Sequence, residues 1–493
     1  MTITRPAAPT QAIQSAVHTK GPAMITATPA PTSAPASSRD AALQALCARI
    51  AGDLITAGSD QYDDARKVHD VTVDRHPLAI LRAANADDVA EGVRFARRHG
   101  LPLAVRSGGH SVPHLSMIDD AIVIDLSGMK AVTIYPEQRI AWVQPGATSA
   151  DLAGPAHAYG LALTTGDTSS VGFGGLATGG GIGYMVRKYG LTIDNILSAR
   201  VVTADGEIVT ASSIQNPDLF WAIRGGGGNF GIITEFQVRL APVGQVLGGA
   251  LILPATHEVI RRYLDYIVTA PDDLTTITNL MFAPPAPFIP EERVGELVLM
   301  ILVTWTGTLE DGERAIAPLR ALAEPVADTV APIPYPAIYA YMEPAAAPHA
   351  AVVRSMFSNQ VSDATIDAIL RSMGEASSPM NIVQLRGLGG AMARVGSEET
   401  AFAHRDKQYM TTVLALWLDA DEDAAPHHAW ADALWNEVRR DADGVYVNFL
   451  ENEGEARIRE AYGEANFARL AQVKAKYDPA NVFCFNQNIR PQA

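Results

Sequence analysis

Three glycine clusters constrain what this chain can fold into more than any other feature of its sequence. The longest cluster places seven glycines within residues 172–183, and it is preceded by the pair Gly108-Gly109 and followed by the run 225–228. Each glycine destabilises a helix by about 1 kcal/mol relative to alanine, so we expect residues 172–183 not to be helical. Bare backbone also lets consecutive N–H groups approach an anion closely. Together the clusters predict a long groove for an extended, diphosphate-containing cofactor.

These glycines have two other interpretations. Structural turns explain any one cluster taken alone. A dinucleotide site of the Rossmann type requires a βαβ unit with an acidic residue about twenty positions after the glycines. The run at residues 172–183 lacks that context, which disfavours a nicotinamide cofactor.

Length and charge narrow the class of protein. A chain of 493 residues that is 48% hydrophobic usually contains two or more domains. Its formal net charge of −16 repels nucleic acid and anionic membrane surfaces, so we expect neither as a partner. The only cysteines, Cys47 and Cys484, stand far apart and outside any metal-ligand spacing, so we predict no metal site and no disulfide. The oligomeric state cannot be read from the sequence.

Composition and hydrophobic pattern divide the chain into four parts. Residues 1–38 are rich in Ala, Pro, Thr and Ser, without an apolar run long enough for a signal or membrane segment, and are predicted to form a disordered leader. A cytoplasmic location follows by default. Short β-rich runs alternate with helical patterns in residues 39–242, and longer apolar strands and amphipathic helices follow in residues 243–445. Residues 446–493 form the last part.

Three local patterns make more specific predictions. Apolar residues spaced along one face predict a helix over residues 40–58. Apolar strands are expected at residues 296–305 and 410–417, with a helix over residues 309–323. A second sheet with helices on one side is the natural architecture for these elements. Another helix is predicted over residues 464–477.

A histidine stands at the tip of the first glycine loop. The loop Arg106-Ser107-Gly108-Gly109-His110-Ser111 directly follows a predicted strand at residues 103–105. Its position suits contact with a bound ligand, although a lone histidine is more often a surface or capping residue.

The chain as a whole resembles the berberine-bridge-enzyme-like branch of the vanillyl-alcohol-oxidase flavoprotein superfamily. The resemblance extends over residues 62–491 and is carried by eight motifs: RSGGHS (106–111), IDLS (124–127), PGA (145–147), VGFGGLATGGGIG (171–183), RKYGLTIDN (187–195), DLFWAIRGGGGNFGIIT (218–234), YVNF (446–449) and KYDPANVFCFNQNI (476–489). The resemblance implies an α+β fold. A PCMH-type FAD-binding domain of two α+β subdomains is expected at residues 39–242, and a substrate domain with an antiparallel sheet covered by helices at residues 243–445. The segment 446–493 is expected to return to the FAD domain.

The resemblance also implies the cofactor and its attachment. In this family the histidine of the GGH loop bonds to the 8α-methyl carbon of FAD, which places the link on His110. Members with a second link carry a cysteine where this chain has Thr168, and a hydroxyl cannot form that thioether. We therefore expect a single link. The residues expected to contact FAD are Arg106, Ser107, Gly108, Gly109, His110, Ser111, Thr168, Val171, Gly172, Gly174, Gly175, Thr178, Gly181, Ile182, Gly183, Ile232, Tyr446 and Asn486.

The implied activity is that of an oxidase. A small organic substrate, such as an alcohol, an amine or a phenolic or polyketide-like molecule, would transfer hydride to flavin N5, and O2 would be reduced to H2O2. Two alternatives remain open: a flavin-dependent dehydrogenase or monooxygenase on the same scaffold, and a non-catalytic flavin-binding protein.

The catalytic base is where this sequence departs from the family. Related oxidases use the last tyrosine of a YxNY motif, whereas this chain has Phe449 there, and the tyrosine of GGGYG is replaced by Ile182. Tyr446 is our candidate for the catalytic base, with another pocket residue, water, a substrate that needs no base, or a purely structural Tyr446 as alternatives. On an extended strand Tyr446 would share a face with Asn448 and not with Phe449.

The substrate is less constrained than the cofactor. The resemblance alone spans enzymes of sugars, alkaloids, phenolic terpenoids and polyketides, and fold does not choose among them. The apolar strands of the substrate domain favour an aromatic or polyketide-like molecule over a sugar. Arg405 is a candidate for binding an acidic substrate, although a structural ion pair is the commoner role for such a residue.

Overall fold

The computed structural model describes residues 36–492 of the chain. The predicted leader at residues 1–38 lies outside the described residues, apart from its last three positions, which begin helix α1 (Ala36–Cys47). Among the described helices, none combines the length and the apolar character needed to cross a bilayer.

The chain turns sharply after α1 and forms strand β1 (Asp53–Ile55). The single helix predicted over residues 40–58 is therefore wrong in its second half. The carboxylate of Asp88 accepts hydrogen bonds from the backbone N–H groups of Ala51 and Gly52 and holds the turn. This long-range contact outweighs the local helical pattern, because it satisfies backbone donors that a helix would otherwise pair.

The first sheet has four strands in the order β1-β2-β4-β3. After β1 its strands are β2 (Ala79–Arg82), β3 (Leu103–Arg106) and β4 (Ile122–Asp125). β4 pairs in parallel with both β2 and β3, while β1 pairs antiparallel to β2. The short helix α2 (Tyr62–Ala65) precedes β2, and α3 (Ala86–His99) connects β2 to β3. The loop that carries His110 begins where β3 ends.

The second sheet has five antiparallel strands in the order β5-β6-β10-β8-β9. They are β5 (Val132–Tyr135), β6 (Ile140–Val143), β8 (Ile196–Val202), β9 (Ile208–Ser212) and β10 (Ile232–Arg239). A two-stranded ladder of β7 (Leu161–Ala162) and β11 (Ala241–Pro242) lies beside it. The helices of this region are α4 (Ser149–His157), α5 (Phe173–Gly179), α6 (Val186–Tyr189) and α7 (Pro217–Ala222).

Helix α5 contradicts the expectation that residues 172–183 avoid helical structure. It forms two turns inside the glycine run, because Phe173 and Ala177 are buried in the core below the second sheet. Burial of a phenylalanine contributes about 2 kcal/mol, which offsets much of the cost of the glycines. The helix ends at Gly180, whose φ of 153° lies in a region that side chains rarely adopt.

The third sheet has eight antiparallel strands, in the order β15-β12-β14-β13-β18-β19-β17, with β16 also paired to β12. Its strands are β12 (Gln245–Pro254), β13 (Leu274–Phe282), β14 (Leu297–Trp305), β15 (Ala327–Asp328), β16 (Ala331–Pro334), β17 (Ala350–Ser358), β18 (Ile382–Gly387) and β19 (Tyr409–Trp417). β14 and β19 lie at the two positions where apolar strands were predicted.

Helices cover one face of this sheet. They are α8 (His257–Ile267), α9 (Leu309–Arg320), α11 (Asp363–Met373) and α13 (Ala425–Val438), and the short helices α10 (Glu343–Ala346) and α12 (Ala391–Arg394) lie in the connecting loops. Apolar residues of these four helices and of the strands form one buried core. The other face of β17, β18 and β19 is turned toward the glycine loops. The predicted α+β fold class, with an antiparallel sheet covered by helices, is confirmed.

The chain ends with α14 (Glu455–Tyr462), α15 (Glu464–Tyr477) and an extended segment. α15 has the bounds predicted from the sequence. The ammonium group of Lys474 in α15 is fully buried and donates to the Asp478 carboxylate at 2.6 Å and to the backbone carbonyls of Asn229 and Phe483. This cluster ties the end of the chain to the third glycine cluster.

Candidate functional site

One large cavity, of about 460 Å³, lies between the glycine loops and the open face of the third sheet. Sixteen of the eighteen residues predicted to contact FAD line it: Ser107, Gly108, Gly109, His110, Ser111, Thr168, Val171, Gly172, Gly174, Gly175, Thr178, Gly181, Ile182, Ile232, Tyr446 and Asn486. They come from five separate stretches of the chain, which the fold brings to one surface.

The loop after β3 presents bare backbone to the cavity. Gly108 packs so closely on Gly172 that a Cβ atom at Gly108 would lie 2.4 Å from the Gly172 nitrogen. Gly109 has a φ of 76°, in the left-handed region. Within residues 36–492, the backbone N–H groups of Gly108, Gly109, His110 and Ser111 have no protein acceptor. A run of unpaired donors of this kind forms a concave site for an anion such as a phosphate.

His110 stands at the edge of this loop with its imidazole in the cavity wall. Its Nε2 lies 3.1 Å from the hydroxyl of Ser170, and its ring stacks on that of His69 with centroids 4.0 Å apart. His349 lies edge-on to His69 at 4.7 Å. Burial, together with the nearby His349, lowers the pKa of His110 to about 4. The ring is therefore neutral at pH 7 and has a free nitrogen lone pair.

The second glycine stretch packs against the first loop at Gly172 and also lines the cavity. Around Gly175, and likewise around Gly228 in the third cluster, no protein atom lies within 4 Å of the place that a Cβ would take. Both glycines line the cavity, so the space beside them is available to a ligand. Thr168, at the position of the family's second link, also faces the cavity, and its hydroxyl donates to Asp167.

Tyr446 is buried, with 3% of its surface exposed, and it lines the cavity. The hydroxyl accepts hydrogen bonds from the Gly181 N–H at 2.9 Å and from the Asn448 amide at 3.0 Å. Within the described part of the chain, its own proton has no protein acceptor. Burial raises the pKa of Tyr446 above its usual value near 10, while the two hydrogen bonds and the Arg386 cation act in the opposite direction.

The extended strand expected at residues 446–449 is not formed, because residues 447–449 make a single 3-10 turn. Asn448 contacts Tyr446 as predicted, but the turn also brings Phe449 against it, with ring centroids 5.2 Å apart. Phe449 lines the cavity with Tyr446. The motif at residues 446–449 therefore supplies one phenol and one unreactive ring, where the resemblance leads us to expect two phenols in related oxidases.

Arg386 and Gln384, on the cavity face of β18, were not anticipated from the sequence. The Arg386 guanidinium pairs with the Asp167 carboxylate and donates to the Ile182 carbonyl at 3.1 Å and to the Gln384 side chain at 2.7 Å. Arg386 is 3% exposed. No local motif marks either residue, and the same is true of His69 and His349, because the contacts that define them join distant parts of the chain.

Two predicted contacts do not reach the cavity. Arg106 turns away from it and donates to the Ala65 carbonyl, since it lies at the end of β3 on the side of α2. Gly183 packs on the backbone of Thr165, where a Cβ would lie 1.8 Å from the carbonyl oxygen, so its role is close packing. Arg405 forms a buried, two-pronged ion pair with Asp194 at 2.8 Å, which is the structural alternative to substrate binding.

Asn486, in contrast, lies in the wall as expected. Its amide donates to the Gly228 carbonyl at 3.2 Å and the Phe483 carbonyl at 3.1 Å, while its buried carbonyl oxygen has no partner within the described residues. A buried acceptor without a donor indicates room for a ligand group. Together with the unpaired N–H groups of the first loop and the open space beside Gly175, this fits an extended cofactor with a phosphate centre and a hydrogen-bonding ring.

Comparison with known proteins identifies the cofactor class. A family model described as an FAD binding domain matches residues 77–212, and one described as berberine and berberine like matches residues 445–490. The uncharacterized FAD-linked oxidoreductase YgaK of Bacillus subtilis is 30% identical over 90% of this chain and 98% of its own length. The chain belongs to the berberine-bridge-enzyme-like family of FAD-linked oxidoreductases.

Further similarities support membership of the berberine-bridge-enzyme-like (BBE-like) family. (R)-6-hydroxynicotine oxidase of Paenarthrobacter nicotinovorans is 30% identical over 90% of this chain and 97% of its own length. The crystal structure of 6-hydroxy-D-nicotine oxidase from Arthrobacter nicotinovorans superposes with a TM-score of 0.81 at 30% identity, covering 90% of this chain and 98% of the other.

This BBE-like protein is therefore an enzyme of the FAD-linked oxidoreductase class, as the sequence predicted. The predicted FAD is confirmed as the cofactor class, and the PCMH-type fold is confirmed. Among residues 36–492, no group of three or more His, Cys, Asp or Glu side chains has the arrangement of a metal site.

Proposed function

We propose that this enzyme carries FAD bonded through the His110 imidazole and oxidises a small organic substrate with dioxygen as the final electron acceptor. The observation that carries the proposal is the placement of a neutral His110 and a phenol, Tyr446, in the wall of one cavity. When bound, FAD supplies a two-electron acceptor that dioxygen reoxidises. Two electrons and two protons leave the substrate, and both reach O2 to form H2O2.

The attachment step places a specific demand on His110. Its ring nitrogen must be unprotonated to form a bond to the 8α-methyl carbon, because an imidazolium has no lone pair available. The low pKa of His110, about 4, meets that demand at neutral pH. The stacked ring of His69 and the hydroxyl of Ser170 fix the imidazole in one orientation. Thr168 supplies no thiol, so the proposal includes only one covalent link.

The unpaired N–H groups of residues 108–111 would hold the cofactor phosphates, and Asn486 would bond to a polar edge of the ring system. Gly172, Gly174 and Gly175 would let the ligand lie against bare backbone. Neutral backbone donors suit an anionic group without adding a fixed charge to the site. These roles rest on the geometry of the loops and on the FAD class of the family.

Tyr446 is proposed as the catalytic base. Burial raises the pKa of Tyr446, and the hydrogen bonds that its hydroxyl accepts from Gly181 and Asn448 act against this by favouring the phenolate, the form that accepts a proton. The side chain of Arg386 is held next to it, since it donates to Ile182, the neighbour of Gly181. A substrate hydroxyl at this point would pass its proton to the Tyr446 oxygen as its C–H bond is broken.

Acid precipitation tests the attachment. Flavin should remain with the precipitated wild-type protein, and His110→Ala should release all of it, whereas the exposed-site control His428→Ala should retain it. Acid-stable flavin in His110→Ala would contradict the link.

Peroxide release tests the acceptor. H2O2 should form in proportion to product without NAD or NADP. An absolute need for a nicotinamide or a protein acceptor would favour the dehydrogenase alternative. Failure of every reducing substrate to bleach the flavin would favour a non-catalytic flavin-binding protein.

A further inference from the structure

Five aliphatic side chains form a continuous surface on the open face of the third sheet, and we call it the aliphatic wall. They are Ala351 and Val353 of β17, Ile382 of β18, and Leu414 and Leu416 of β19. The register pairs Ala351 with Leu416, and Leu414 with both Val353 and Ile382. All five therefore lie side by side on neighbouring strands.

The alternation of the strands assigns the two faces of this sheet. The residues between the wall positions, Val352, Val383, Val413 and Ala415, are buried in the core beneath the helices. The wall residues point the other way and line the cavity. Ala351, Ile382 and Leu414 are only half-buried. β18 and β19 are interior strands of the sheet, and β17 is its edge strand. This apolar area is not covered by protein within the described residues.

The polar groups beside the aliphatic wall are already paired. The Gln384 amide donates to Asn279 at 3.0 Å and accepts from Arg386, and the Arg386 charge is balanced by Asp167. A sugar brings many hydroxyl groups, and burying each without a partner costs about 1 to 3 kcal/mol. The wall therefore disfavours a carbohydrate.

The cavity is also poorly suited to a cation. The carboxylates in its lining are those of Asp70 and Asp167. Asp167 is paired with Arg386, and Asp70 lies 3.1 Å from His114. Burying an ammonium group without a free carboxylate is strongly unfavourable.

The geometry points to an uncharged, compact substrate with a flat or aliphatic body on the aliphatic wall and a single hydroxyl at the end occupied by Tyr446 and Arg386. Leu414 is the specificity-determining residue, because it occupies the centre of the wall and contacts both neighbouring strands through the register. This inference rests on the proposed function for the position of the reacting hydroxyl. The recognition itself depends only on the wall.

Calorimetry on the flavin-loaded protein tests recognition without turnover. The probes are 2-naphthol, which has an apolar body, one hydroxyl and no oxidisable C–H beside it; 2-naphthylmethylamine, which carries a cation on the same ring system; and cellobiose. We expect 2-naphthol to bind at least about 10-fold more tightly than either of the others. Equal or tighter binding of cellobiose or the amine would overturn the inference, whether or not the enzyme forms peroxide.

Variants locate the binding surface. Leu414→Asn should weaken 2-naphthol binding by about 10-fold or more, since it replaces apolar contact with an unpaired amide. Leu418→Asn, one residue beyond β19 and 62% exposed, should leave the affinity unchanged. Leu414→Met should retain it, because the apolar volume is kept. If Leu414→Asn holds flavin normally and binds 2-naphthol with unchanged affinity, the aliphatic wall is not the binding surface. If Leu414→Asn does not hold flavin, Ile382→Asn provides the same test.

Discussion

The two sides of the cavity are built in opposite ways. The cofactor side consists of backbone, with glycines at positions where a Cβ would collide with protein or fill the groove. The proposed substrate side consists of side chains on three neighbouring strands, β17, β18 and β19, whose backbones are paired in the sheet. A surface of backbone tolerates few substitutions, whereas a surface of side chains can change its chemistry without changing the fold. Substitutions on each side test this contrast.

The largest expected effect is on the cofactor side. Gly108→Ala should abolish flavin binding, because the added methyl would lie 2.4 Å from the backbone nitrogen of Gly172 and force the two loops apart. The flavin-to-protein absorbance ratio measures this. As a control, Gly154→Ala in α4 meets no atom within 4 Å and should keep the flavin. Normal flavin content in Gly108→Ala would show that the loops are more adaptable than their contacts indicate.

Asp167→Asn should destabilise the protein by about 3 kcal/mol, because it leaves the buried Arg386 cation without its carboxylate. The loss would appear in the denaturant midpoint at unchanged m-value. Glu310→Gln, which breaks the exposed pair with Arg314, should cost less than about 0.5 kcal/mol. Similar values for the two variants would mean that water reaches the Asp167 pair.

Tyr446→Phe should slow flavin reduction by about 10²-fold, the usual contribution of a positioned base, with flavin content unchanged. Burial raises the pKa of Tyr446, so the phenolate is the minor form at neutral pH and its population grows as pH rises toward that pKa. The wild-type rate should therefore increase with pH through the neutral range. Tyr446→Phe should lose that dependence. Tyr462→Phe, whose hydroxyl donates to Gly226 at another part of the cavity wall, is the matched control. A wild-type rate in Tyr446→Phe would assign the base to another group.

The smallest expected effect concerns His69. Burial, with His110 and His349 nearby, lowers the pKa of His69 to about 3, against about 6.5 in the unfolded chain. The unfolded state therefore binds the proton more readily, and stability should fall as pH decreases from about 6.5 toward 3. His69→Gln should flatten this decline, while the exposed-site variant His428→Gln should not. If the melting temperatures of wild type and His69→Gln fall in parallel as pH decreases, the burial of a neutral His69 does not cause this loss of stability.

The difference between the two sides also explains which predictions succeeded. The glycine clusters and the loop with His110 are motifs of consecutive residues, and such motifs can be recognised directly in the sequence. Bare backbone is required wherever a loop approaches another loop or a ligand, so glycine marks that wall of the cavity in advance. The same reasoning failed for helix α5, since burial of Phe173 and Ala177 compensated for the glycines around them.

The sequence alone therefore determined the fold class, the FAD cofactor and one wall of the cavity. Tertiary structure decided the rest: Arg386 and Asp167 are separated by 219 positions yet form a buried pair, and the turn at residues 447–449 sets Phe449 against Tyr446. It also joined five ordinary aliphatic residues of β17, β18 and β19 into one surface, because strand register places side chains from separate strands side by side. An isolated valine or leucine in a strand looks the same whether it faces a core or a substrate, and only the packing of the other face distinguishes the two.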